Sequence, residues 1–403
     1  MATKTIRDID VAGKKVLMRV DFNVPLTDDG EIGNDRRILM ALPSIRKLLD
    51  EGARVILMSH LGRPKGEAKP EFSMKPVRAR LAELLEQDVT LGPAEIAGDE
   101  ARRLADALND GDVLLLENVR YDAREDSKNE DEVRAFGGEL ASLGEAYVND
   151  AFGTCHRKHA SMWGCPQAIK HAGGPAVAGF LVEKEIKYLD EAVSDPARPF
   201  AAILGGAKVS DKIKLISSLL EKVDDILIGG AMAYTLLKAR GVAVGKSMVE
   251  ADQVDAMTSL LDRAEGKIHL PVDHVAASAF DSDDAKRVDE ADIPDDLMGM
   301  DIGPKTVQAF GEIIARSKTI VWNGPMGVFE REAYATGTKA VAEKVAGATD
   351  AGAVSVIGGG DSASAVEQMD LNERMTHVST GGGASLTFLE GKPMPPIEVL
   401  DAT

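Results

Sequence analysis

The sequence predicts an α/β protein built from parallel strand–helix–strand units and divided into two halves. Three observations carry this. Apolar runs of buried-strand length alternate with helical segments along the chain. The strand ends are marked, by polar side chains in the first half and by glycine clusters in the second. Between the halves, residues 173–179 (GGPAVAG) lead into a long helix, so residues 1–178 form one predicted domain and 179–391 the other.

In the first half, residues 15–20 (KVLMRV) and 54–59 (RVILMS) read as strands. A helix follows each, over 35–51 and 75–87, the first stopped by Gly52. Residues 112–116 and 146–148 read as further strands, with an acidic helix over 129–143 between them. Polar residues stand at these strand ends: Asp21 and Asn23, His60 and Arg63, Arg120, then Asn149 and Asp150. Ligands of open parallel sheets sit outside the carboxyl ends of strands, so these ends predict one basic cleft. Taken singly, each side chain could equally be a surface charge.

A helix over 180–193 opens the second half. Strands follow at 200–204, 226–228, 319–322, 353–357 and 377–379, with a helix after Gly229 and Gly230. Glycine clusters close three of them: Gly205-Gly206, Gly358-Gly359-Gly360 and Gly381-Gly382-Gly383. Glycine lets backbone approach a ligand closely. The stretch 199–214 (PFAAILGGAKVSDKIK) reads as strand, glycine turn and a Ser210-Asp211 N-cap. That layout aims free N–H groups at an anion, and Lys208 and Lys212 flank the turn. A solvated loop with two surface lysines fits the same residues. The proline-rich tail 392–403 is expected to pack over one domain. The chain has no internal repeat and no low-complexity segment.

Hydrophobic content of 44% and charged content of 28% are those of a globular protein. Acidic residues (66) outnumber basic ones (47), for a net charge of −19. That balance argues against non-specific nucleic-acid binding and against anionic membrane surfaces. It also fits a halophilic protein working in concentrated salt. Two cysteines, Cys155 and Cys165, make no disulfide framework, so a reducing cytoplasm is the expected setting. Neither a signal peptide nor a membrane span is expected.

Three motif matches are partial. Residues 241–247 (GVAVGKS) fall one residue short of the phosphate-loop pattern. Residues 358–363 (GGGDSA) fit the dinucleotide fingerprint G-x-G-x-x-A, but the acidic residue expected about 20 positions on is replaced by the glycine stretch at 380–383. Asp361 inside that motif suits a magnesium ion carried by a nucleotide, or a helix N-cap. Cys155, His156, His159 and Cys165 match no standard zinc spacing, and Arg157 and Lys158 interrupt them.

Nine blocks carry a resemblance. They are residues 19–25 (RVDFNVP), 59–66 (SHLGRPKG), 115–121 (LLENVRY), 149–161 (NDAFGTCHRKHAS), 205–212 (GGAKVSDK), 301–306 (DIGPKT), 319–330 (TIVWNGPMGVFE), 358–363 and 378–391 (VSTGGGASLTFLEG). In this order, across nearly the whole chain, they resemble the phosphoglycerate kinase family. The resemblance implies two Rossmann-like domains with parallel sheets, joined by a hinge helix, with the C-terminal tail returning to the first. It implies a monomer transferring a phosphoryl group between 1,3-bisphosphoglycerate and ADP, with Mg2+ carried as Mg-ADP or Mg-ATP. The substrate residues would be Asp21, Asn23, Arg37, His60, Arg63, Arg120 and Arg157. Those for nucleotide would be Lys208, Lys212, Gly229, Gly299, Asn323, Glu330, Gly358, Gly359, Gly360, Asp361 and Ser362, with Asp361 on the metal. Arg37, Lys208, Gly360 and Gly383 would stabilise the transferring group.

Arg37 is chosen over Arg36 because it precedes Ile38 as in the family's motif. Ser362 stands where the family usually has threonine, Cys155 where it has alanine, and the match thins over 272–277. The residues suit such a reaction. A carboxylate or phosphate oxygen is already a nucleophile, so positive charge is needed and a base is not. An NAD-dependent dehydrogenase would leave the lysines and the basic cleft idle, and titration with NADH separates it. A bilobal anion-binding module would bind one ligand and turn nothing over.

Overall fold

A computed structural model describes residues 3–403. They form two compact units, residues 3–187 with 393–403, and residues 188–392. In the first unit the strands are β1 (Lys15–Val20), β2 (Arg54–Met58), β3 (Val89–Leu91), β4 (Val113–Leu115), β5 (Ala146–Asp150) and β6 (Ala176–Ala178). The helices are α1 (Arg36–Asp50), α2 (Lys75–Leu85), α3 (Asp99–Asp106), α4 (Glu130–Ala141), α5 (Cys165–His171) and α6 (Phe180–Ser194). All strand pairs are parallel, in the order β3-β4-β2-β1-β5-β6. The chain runs outward from β1 through β2, then returns to the other side as β5. The switch point therefore lies at the carboxyl end of β1.

Strands β1, β2 and β5 are buried along nearly their whole length, which is why they read as continuous apolar runs. The unit boundary falls inside α6, downstream of the glycine-rich stretch from which the sequence reading placed it. The first turn of α6 is tied to the first unit by Asp150, whose Oδ1 accepts from the N–H groups of Leu181 (2.8 Å) and Val182 (3.3 Å). The tail, with α14 (Pro395–Glu398), belongs to the first unit. Asp401 N donates to Ala176 O at 2.7 Å, and Asn149 Nδ2 to Pro396 O at 3.3 Å.

The second unit repeats the plan. Its elements begin β7 (Phe200–Leu204), α7 (Ile213–Leu220), β8 (Asp225–Ile228), α8 (Met232–Ala239), α9 (Val254–Arg263) and β9 (Ile268–His269). They continue with β10 (His274–Ala277), β11 (Lys286–Val288), β12 (Met298–Ile302), α10 (Pro304–Arg316), β13 (Thr319–Asn323) and α11 (Thr336–Asp350). Last come β14 (Val354–Gly358), α12 (Gly360–Gln368), β15 (His377–Val378) and α13 (Gly383–Leu389). The main sheet is parallel in the order β15-β14-β13-β7-β8-β9, so the switch lies between β7 and β13. Strands β11-β10-β12 form a small antiparallel sheet. Its short strands gave no clear apolar alternation, and no element was expected there.

Candidate active site

In the first unit, the switch point gathers an arginine–histidine patch. Arg19, next to last in β1, is a fully buried side chain. Its Nε donates to Ser161 Oγ at 2.8 Å, its Nη1 to the Val20 carbonyl, and its Nη2 lies 3.2 Å from His60 Nδ1. Arg37, on the first turn of α1, is paired with Asp21 Oδ2. Asp21 Oδ1 lies 4.0 Å from His60 Nδ1. Asn23 Oδ1 accepts from Gly62 N at 2.8 Å, while Arg120 Nη1 donates to Gly62 O at 2.8 Å. Burial, Arg19, Arg120, His159 and Arg37 hold His60 well below its ordinary value. Burial likewise brings His159 down to about 3 and His156 to about 4. The histidines are therefore neutral near pH 7, and the arginines carry the charge.

Arg120 is the group most in want of an anion. Its Nε is buried without a hydrogen-bond partner, 3.6 Å from Asp126 Oδ2, and burial lowers its basicity. Arg157, bonded to His156 Nε2 at 2.9 Å, adds charge at Arg120 from an exposed position. Arg63 is exposed next to Gly62. Sequence reasoning missed Arg19, Ser161, Glu125 and Asn118. Arg19 had a signal, since it is the one charge past the first residue of an otherwise apolar strand. Asn118 Nδ2 donates to Leu61 O at 2.6 Å and to Phe72 O at 3.0 Å, tying two points of the connection between β2 and α2 to the turn that carries Arg120. Asn149 and Asp150 are used inside the fold, on the tail and on α6.

The glycine clusters of the second unit do two different jobs. A Cβ on Gly205 would lie 2.0 Å from Pro325 O, and one on Gly324 (φ 98°) 2.2 Å from Gly205 O. These glycines let the loops after β7 and β13 interlock. By contrast, a Cβ at Gly360 or Gly382 would meet nothing within 4 Å, leaving room beside the starts of α12 and α13. Gly358 is buried, and a Cβ on Gly359 (φ 90°) would lie 2.8 Å from Asn323 Nδ2.

Lys212 Nζ donates to Asn323 O at 3.1 Å and to Asn323 Oδ1. Burial brings its pKa down to about 8, with Asp361 and Asp211 opposing that shift. Asn323 Nδ2 is buried without a partner. Ser362 Oγ accepts from Gly324 N at 2.5 Å. Lys208 is exposed on the loop after β7. The expected Ser210-Asp211 cap does not form, because Ser210 binds Glu250 through its hydroxyl (2.5 Å) and its N–H (3.1 Å). Helix α7 instead starts after Lys212, which leaves that ammonium free to reach Asn323.

Beside these loops lies a cavity of about 310 Å³, lined by Gly206, Ala231, Gly299, Val328, Glu330 and Asp361 among others. Met248 and Phe280 stand on its rim, 50% and 59% exposed. Gly299 is required there, since a Cβ would meet Tyr234 Oη at 2.0 Å. Gly229 abuts Met326. Asp361, in the first turn of α12, is an exposed single carboxylate. Among the described residues no group of three His, Cys, Asp or Glu could hold an ion. One carboxylate suits a magnesium ion that arrives with phosphate and water ligands of its own.

Anion-binding groups at the carboxyl ends of two parallel sheets are the equipment of an α/β phosphotransferase. Comparison with known proteins specifies which. The profile of the phosphoglycerate kinase family matches residues 6–392. The chain is 54% identical, over the full length of both proteins, to the phosphoglycerate kinase of Prosthecochloris aestuarii. It is 52% identical to that of Clostridium novyi over 98% of each chain. Solved structures of the kinases from Coxiella burnetii (TM-score 0.87, 39% identity) and Pyrococcus horikoshii (TM-score 0.85, 34% identity) each align over 98% of both chains. The chain belongs to the phosphoglycerate kinase family. Its reaction is the family's, reversible phosphoryl transfer between 1,3-bisphosphoglycerate and ADP, giving 3-phosphoglycerate and ATP in glycolysis. The dehydrogenase and binding-module readings are not favoured. No helix among the described residues is long and apolar enough to cross a membrane.

Proposed function

We propose that the first unit binds the phosphoglycerate and the second the nucleotide, each at its own switch point. The observation that carries this is the buried Nε of Arg120, which makes no hydrogen bond, has Asp126 at 3.6 Å, and stands beside Arg19 and Arg157. A small ligand bearing a phosphate and a carboxylate answers it, because guanidinium groups bind both in bidentate fashion. Asp21, Asn23, Arg37, His60, Arg63, Arg120 and Arg157 hold that ligand. In the second unit the cavity with its apolar rim takes the base, and Glu330 the ribose hydroxyls. Lys208, Lys212, Asn323 and the N–H groups at Gly360 and Gly383 face the phosphates.

Asp361 holds the magnesium ion of the nucleotide, which supplies charge neutralisation on the phosphate oxygens. Asp361→Asn should therefore raise the Mg-ATP concentration needed for half-maximal rate about 10-fold or more and leave the KM for 3-phosphoglycerate unchanged. Equal weakening of both would refute the division between the units.

We further infer a monomer working in a reducing cytoplasm, in keeping with the unpaired, buried Cys155 and Cys165. The charge of −19 makes it salt-dependent. Self-repulsion is screened as the Debye length falls from about 10 Å at 0.1 M to about 3 Å at 1 M salt. The melting temperature should rise with KCl over that range, and a flat response would remove the halophilic reading.

A further inference from the structure

We propose that Arg19 is a positioning residue that holds His60 in its Nε2–H tautomer, so that the imidazole meets an anionic ligand as a neutral hydrogen-bond donor. The proposal rests on the reading that His60 lies in the phosphoglycerate site. Each hydrogen in the chain of contacts is assignable. Ser161 donates through Oγ to Glu125 Oε1 at 2.6 Å and through its N–H to Glu125 Oε2 at 2.9 Å. With its hydroxyl hydrogen spent, Ser161 Oγ can only accept from Arg19 Nε, at 2.8 Å. A guanidinium has donors and no acceptor. His60 Nδ1, at 3.2 Å from Arg19 Nη2, must therefore present its lone pair. The ring proton is left on Nε2, which makes no hydrogen bond to any described residue.

The arrangement also resists protonation of the ring. A hydrogen on Nδ1 would set two donors face to face. The charged or titratable groups that bear on His60 are Arg19 from β1, Arg37 from α1, Arg120 after β4 and His159 after β5. Asp21 Oδ1, at 4.0 Å, is the carboxylate that faces it, and Arg37 already engages the other oxygen of that group. Glu125, fully buried, faces Arg19 through Ser161; burial pushes its pKa up, while Arg19 and the hydrogen bonds from Ser161 favour its charged form. A buried arginine without such a partner is strongly disfavoured. His60 thus donates one hydrogen bond without gaining or losing a proton.

The test is the long-range 1H–15N spectrum of the intact protein labelled at histidine, with the His60 signals assigned by their loss in His60→Gln. We expect a bare Nδ1 and a protonated Nε2 from about pH 5.5 to 8, unchanged by saturating 3-phosphoglycerate. A proton on Nδ1, or titration of His60 near its ordinary value of about 6.5, overturns the proposal in the wild-type protein alone. Arg19→Met, checked for folding by its melting curve, should give mixed tautomers and a titrating ring. It should raise the KM for 3-phosphoglycerate about 10-fold and leave the KM for ATP unmoved, with Arg19→Lys intermediate. A folded Arg19→Met whose His60 keeps the wild-type tautomer and pH response also overturns it. If His60→Gln leaves phosphoglycerate binding unchanged, the placement of the substrate fails instead, while the spectrum still decides the tautomer.

Discussion

Arg37→Ala is expected to lower kcat by about 10³-fold, while His60→Gln mainly raises the KM for 3-phosphoglycerate. The difference follows from where charge changes. In phosphoryl transfer the negative charge on the equatorial oxygens is spread most widely in the transition state, and a cation beside them is worth most there. Arg37 lies in the first turn of α1 and is held by Asp21, a pairing that leaves its guanidinium half-exposed. His60 is neutral, and the reaction offers it no proton to take. The check is steady-state kinetics in both directions. Collapse of kcat in His60→Gln, together with loss of a pH step near neutrality, would mean that a base is at work.

Lys212→Met is expected to cost about 10²- to 10³-fold in kcat, the usual loss when one preorganised donor to a developing anion is removed. Lys212 is ready for that task because it is half-desolvated yet still charged at neutral pH. Its pKa of about 8 adds a pH signature. The ammonium is present below that value and is lost as pH rises through it. Because kcat/KM reports the free enzyme, kcat/KM for ATP should fall above about pH 8. Bound phosphate favours the charged form, so kcat should fall only at higher pH. Lys212→Met should abolish the alkaline fall in kcat/KM. Persistence of that fall in the variant would assign it to another group.

How much of this was legible in the sequence depended on the kind of signal. Strands β1, β2, β7 and β13 announce themselves as short apolar runs because parallel sheets are covered on both faces. Their polar and glycine-rich ends mark the two switch points for the same reason. The short edge strands β3, β6 and β9 and the antiparallel β10–β12 sheet carry too few residues for any period to show. The supporting groups were hidden differently. Glu125, Ser161 and Asn118 act through hydrogen bonds between segments distant in sequence, and no local pattern records such partners. Ser210 shows the converse error: the N-cap chemistry was present, but Glu250 outcompeted the helix for the hydroxyl.

The claim that each unit carries one ligand is tested most directly by amide hydrogen exchange on the intact protein with one ligand at a time. With 3-phosphoglycerate alone, protection should rise in the segments carrying Asp21, Asn23, Arg37, His60, Arg63 and Arg120. With Mg-ADP alone, it should rise at the glycine-rich loops around Gly205, Asn323, Gly359 and Gly382. Protection of the glycine loops by 3-phosphoglycerate alone, with the arginine–histidine patch unchanged, would contradict the account.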